Sequence, residues 1–151
     1  MNETAQEKRT AEETKIPDYQ ADEYLRELVR LVSGTESSFP VTLYMNGLVI
    51  SGQIVSGHRY FEELRDQYAI YFGDSENSKK TIDYLTSPGK IYLDSDENKS
   101  MPPIRYIHLQ NARVMSNGNK PMPAEGVWWR GRISSIDAFN FGAFVYTEND
   151  A

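Results

Sequence analysis

Leu25, Leu28, Val29 and Val32 recur at i, i+3, i+4 and i+7, the spacing of one apolar helix face. This pattern predicts a helix over about Pro17 to Val32, with Tyr24 and Leu31 widening the face. Asp18 or Asp22 is placed to cap its start and Gly34 to stop it. After a loop the period changes to two. Val41, Leu43 and Met45 share a face, and Asn46-Gly47 follows. That dipeptide is the strongest short hairpin signal, since both residues tolerate positive φ. Leu48 to Ser56 is then the returning strand, with Gly52 at its middle. A glycine inside a strand marks a bend, a bulge or a close backbone approach.

Beyond Gly57 the helical period returns. Phe61, Leu64, Tyr68 and Tyr71 or Phe72 fall on one face, with charged residues between them, so a second helix is expected from His58 to Phe72. Lys79 to Thr86 reads as a short third helix, broken by Ser87-Pro88-Gly89. Lys90 to Leu93 reads as a short strand, and Asp94 to Pro103 as a polar loop. Three strands follow: Ile104 to Met115, Val127 to Ile136 and Ala138 to Tyr146, with a turn-rich loop over Ser116 to Glu125. The expected class is mainly β with helices (α+β), a small antiparallel barrel with an N-terminal helix and an insert over about 58–103. Residues 1–16 carry no large apolar side chain before Ile16 and read as a flexible tail. Residues 17–146 read as a single domain and 147–151 as a frayed end.

Composition narrows the function. Ten of the eighteen aromatic residues are tyrosines, which bury a ring while keeping a polar tip. The formal net charge of -6 disfavours general nucleic-acid binding, because such a surface repels phosphate backbones. The chain has no cysteine, which removes disulfides, thiolate zinc ligands and thiol nucleophiles. No apolar run approaches the roughly 20 residues of a membrane span, and Met1 to Lys15 has no apolar core of a secretory signal. A cytoplasmic location without a membrane partner is expected.

Candidate chemistry is sparse. The two histidines, His58 and His108, have no ligand spacing between them. His58 reads as a capping or surface residue, His108 as a satisfied histidine within the sheet. No nucleophile elbow, phosphate loop or dinucleotide fingerprint occurs. Asp94 to Asn98 lacks the glycine and the final glutamate of a calcium loop. No cofactor, metal or catalytic residue is therefore expected, and the chain reads as a non-enzyme. One segment stands out. Trp128 and Trp129 are adjacent, so on a strand they face opposite sides, and Arg130 and Arg132 share the side of Trp128. Tryptophan and arginine are enriched in binding hot spots. These four residues are the candidate binding segment, set against the alternative that both rings are buried and the arginine stems cover an aromatic face.

The stretch Val41 to His58, with Asn46, Gly47, Ile50, Gly52 and Ile54, resembles the first motif of Sm-like proteins. Val127 to Arg130, Gly131 and Ile133 resemble the second. The resemblance implies a bent antiparallel barrel in which Asn46, Gly47, Gly52 and Gly131 are structural. It also implies an alternative function, RNA binding. The acidic residue and the Asn of the uridine pocket are absent, however; His58, Tyr60 and Phe61 stand there.

Tyr24-Leu25, Ile50-Ser51-Gly52, Val55-Ser56-Gly57 and Tyr60-Phe61 are similar to segments of the gas vesicle accessory protein GvpU family, over about Ile16 to Leu64. This resemblance implies a non-enzymatic helper of gas vesicle formation or clustering. It would act by protein-protein binding, with the vesicle shell as partner, and associate with gas vesicles in the cytoplasm. Open strand edges add the expectation of a homo-oligomer.

Overall fold

A computed structural model describes residues 21–93, 103–116 and 120–144. The expected N-terminal tail, the 94–102 part of the expected loop and the C-terminal end lie outside the described residues. Helix α1 spans Glu23–Ser33. Its start is set by Asp22, whose carboxylate accepts from the amides of Tyr24 at 2.8 Å and Leu25 at 3.2 Å. This cap satisfies two donors that the first turn leaves without helical partners. Leu25, Val29 and Val32 are buried. Tyr24 and Leu31, expected on the same face, are exposed instead. Tyr24 stacks on Phe139, with ring centroids 5.9 Å apart.

Strands β1 (Phe39–Met45) and β2 (Leu48–Val55) form the predicted hairpin. Asn46 and Gly47 take φ of 50° and 76°, and Met45 pairs with Leu48. Positive φ at both central positions gives the turn the twist of its strands. Helix α2 (Gly57–Phe72) is capped by Ser56, whose hydroxyl accepts from the Arg59 amide at 3.1 Å. His58 is therefore not the cap; its ring pairs with Glu62 at 3.3 Å. Helix α3 (Glu76–Leu85) is tied to α2 by Arg65 and Asp83, 2.7 Å apart.

The expected strand at Lys90 to Leu93 is not one. Ser87–Tyr92 is a 3-10 helix. Pro88 lies in its first turn, where a fixed φ and a missing N–H are tolerated. Gly89 lets the Phe61 ring lie on the backbone, because a Cβ there would sit 2.6 Å from that ring. Tertiary packing thus outweighs the strand propensity of Ile91 and Tyr92.

Strands β3 (Tyr106–Ser116), β4 (Met122–Arg132) and β5 (Ala138–Phe141) complete the sheet. β4 starts five residues before the expected Val127 and stops at Arg132, because Ile133–Ser135 turns into a 3-10 helix. The Ile133 amide donates to the Arg105 carbonyl at 2.9 Å, and its side chain is buried. All pairings are antiparallel, in the order β4-β3-β2-β1-β5. The class is the expected one, an antiparallel sheet with an N-terminal helix and a helical insert. The sheet is open: β4 and β5 are its two edges, and among the described residues no ladder closes it into a barrel. All four residues of β5 pair on one side with Val41 to Tyr44 of β1.

Gly52 marks an irregularity shared by three strands. The β2–β3 register shifts between Ser51 and Gln53, and the β3–β4 register shifts between Leu109 and Ala112. A Cβ on Gly52 would lie 3.0 Å from the Gln110 carbonyl oxygen. Asn111 has φ 52°, and a Cβ on Gly126, itself at φ 76°, would lie 2.8 Å from Asn111 backbone. Gly52, Asn111 and Gly126 therefore form one line of bulges, where extra residues bend and twist the ladder. Under the sheet, α1 packs Leu25, Val29 and Val32 with Leu43, Ile54, Ile107, Leu109 and Ile133 in a single core. A polar clasp holds the chain after β5: Thr42 donates to the Gly142 carbonyl at 2.8 Å, and the Phe144 amide to the Ser51 hydroxyl at 2.6 Å.

Candidate functional site

The opposite side of β3 and β4 carries an aromatic and basic cluster. Strand alternation sets Tyr106 and His108 of β3 on one face, and the register puts Arg130 of β4 across from His108 and Arg132 across from Tyr106. Helix α2 brings Tyr60 and Phe61 onto this face, and the 3-10 helix brings Tyr92. The His108 ring lies 4.8 Å from that of Tyr60, 6.0 Å from Phe61 and 5.4 Å from Tyr92. Tyr92 sits directly on Gly57, where a Cβ would be 2.5 Å from the ring.

Arg130 closes the cluster. Its Nε donates to His108 Nε2 at 3.3 Å, and its guanidinium lies 3.6 Å over the Tyr106 ring and 5.7 Å from that of Phe61. A guanidinium over a ring face is attracted by the negative π surface. His108 is 1% exposed. Burial, and then the Arg130 charge, lower its pKa to about 3. The ring is therefore neutral at ordinary pH. Because Nε2 accepts from Arg130, the ring proton belongs on Nδ1. Burial raises the Tyr60 and Tyr92 hydroxyls above their usual pKa, partly offset in each by the Arg130 charge.

The two tryptophans separate as strand alternation requires. Trp129 packs against the main core, and its indole folds over Gly131, where a Cβ would collide with the ring. Trp128 lies on the other face, 6.5 Å from the Tyr60 ring. Both are half-buried. Arg130 is engaged with His108 and Tyr106, and both Arg130 and Arg132 are exposed. Arg113 donates to the Ala124 carbonyl at 2.7 Å and stays apart from the cluster. Sequence reasoning missed Tyr60, Tyr92, Tyr106 and His108 as a group. The alternations Tyr106-x-His108 and Trp128-x-Arg130-x-Arg132 were its only local signal.

The cluster has a cation, an aromatic lining and a neutral imidazole, an arrangement suited to contact and packing. Among the described residues no group of three or more His, Cys, Asp or Glu could hold a metal ion, and no helix is long and apolar enough to cross a membrane. The sequence model of a family described as gas vesicle protein GvpU-like matches residues 22–144. The chain belongs to the GvpU-like family. That span runs from the Asp22 cap of α1 to the segment clasped by Ser51, and so takes in the whole GvpU-like sheet, its helical insert and the Arg130 cluster. The protein is accordingly a gas-vesicle-related one. No curated protein and no solved structure matched the chain.

Proposed function

We propose that this protein is a non-enzymatic accessory factor in gas vesicle formation or clustering, and that it binds a protein surface, the vesicle shell, through Trp128, Trp129, Arg130 and Arg132. The observation that supports this reading is the position of the segment: all four residues lie on β4, an edge strand of the open sheet. An edge strand leaves backbone donors and acceptors along one side, which a partner can pair by strand addition. Half-buried indoles and an exposed Arg132 beside that edge supply anchor and charge. The Sm-like reading of the sheet belongs to the same proposal. It rests on the Asn46-Gly47 turn, the break at Gly52 and the contact of Trp129 with Gly131.

The test is co-sedimentation with purified gas vesicles. Wild type is expected to sediment with vesicles, and Trp128→Ala and Arg132→Glu to do so less. Arg132 is the cleaner charge reversal, since Arg130→Glu also removes the contacts to His108 and Tyr106. Retained binding by both folded variants refutes the site, and no binding by wild type refutes the function.

A further inference from the structure

A recess opens beside the Arg130 cluster, where α1, the insert and the start of β3 meet. It has a volume of about 140 Å³. Val29 and Ile104 form one aliphatic wall; Ile91, Tyr92, Tyr106 and the buried His108 complete it. Its polar lining is small and specific. The Ser33 hydroxyl is already committed to the Val29 carbonyl at 2.8 Å. Among the described residues that line the recess, Arg105, exposed, is the one formal charge and no carboxylate occurs.

We propose that this recess binds a small single-ring aromatic molecule, neutral or anionic. Size sets the first scale: an apolar cavity of roughly 150 Å³ accommodates one benzene ring, and this open recess has room for a single ring. The lining sets the second. Aliphatic and aromatic walls with few convergent polar groups are the usual composition of a ligand site. Among the described residues the lining has one guanidinium and no carboxylate, which disfavours a cationic substituent and accepts an anionic one. The imidazole is held in a single neutral form by its bond from Arg130, so it meets a ligand as a fixed dipole. The recess stays open because its walls are anchored elsewhere. Tyr92 is seated on Gly57, His108 is tied to Arg130, and Val29 belongs to the main core. This inference does not rest on vesicle binding.

The experiment titrates the full-length protein with phenol, benzoate and benzylamine, followed by NMR of the His108 ring and the methyl groups of Val29, Ile91 and Ile104. Phenol and benzoate are expected to give saturable shifts at these groups with Kd of roughly 1 mM or tighter, the range open to a ligand of this size, and benzylamine none. Shifts that do not saturate, shifts scattered over the surface, or equal response to benzylamine overturn the proposal. Ile91 is 49% exposed, so Ile91→Trp fills the recess from its rim without disturbing the core. That variant is expected to keep its circular dichroism and lose the titration; binding retained by the folded variant overturns the site. Ile104→Phe is the second filling variant, read in the same way.

Discussion

Acid is expected to destabilise this protein through His108. The folded ring has its pKa lowered from 6.5 to about 3, chiefly by burial and then by Arg130. Above about pH 6.5 neither state carries the proton, and the histidine makes no pH-dependent contribution. Between those two values the unfolded chain binds a proton that the folded chain refuses, so stability falls as pH falls. Each unit is worth about 1.36 kcal/mol. Moving from about pH 7 to pH 5 takes the protein roughly 1.5 units into that window, a loss of about 2 kcal/mol. The full window would cost about 5 kcal/mol, comparable to the whole stability of many domains. The physical event is plain in the geometry. A proton on Nε2 would face the Arg130 Nε–H now 3.3 Å away, setting two cations side by side in an aromatic pocket. The assay is urea unfolding of wild type and His108→Gln at both pH values. Glutamine keeps an acceptor for Arg130 and cannot titrate. Other carboxylates contribute acid sensitivity to both proteins, so the difference between the two pH slopes isolates His108. Wild type should lose about 2 kcal/mol more than the variant. Equal slopes would refute the reasoning, because they would mean that the imidazole is already solvated in the folded state.

Replacing Gly52 by Val should cost about 1–3 kcal/mol, the range for forcing bulk into a packed site, since its Cβ would meet the Gln110 carbonyl at 3.0 Å and Ala112 Cα at 3.1 Å; an unchanged denaturation midpoint would remove Gly52 from the bulge line. Self-association through the open β4 and β5 edges is expected in solution, and light scattering that shows a strict monomer at high concentration would eliminate it.

Much of the architecture was legible because its signals are local. The apolar spacing of Leu25, Val29 and Val32, the Asn46-Gly47 turn and the break at Gly52 each act within a few residues. So does the helical period that runs from Gly57 to Phe72. The segment at Lys90 misled for the opposite reason. Its apolar residues suit a strand, and its conformation follows from how the Phe61 and Tyr92 rings seat on Gly89 and Gly57. The partnership of Asn111 with Gly126 was equally hidden, since neither residue signals a bulge until β3 and β4 are in register.

The candidate site shows the same division. Adjacency and strand alternation alone put Trp128 and Trp129 on opposite faces, and put Arg130 and Arg132 with Trp128. How deep each ring lies was decided by the fold. Trp129 gains its cover by folding over Gly131 onto the core beneath α1, and Trp128 by approaching Tyr60 of α2. The pairing of His108 with Arg130 joins residues 22 positions apart. It exists because one register of two strands sets them side by side, and α2 with the 3-10 helix then removes the water. Sequence determines which side chains are available and which face each takes along its own strand. Burial, and with it the neutral state of His108, depends on layers contributed by distant segments, and so only the tertiary structure decided it.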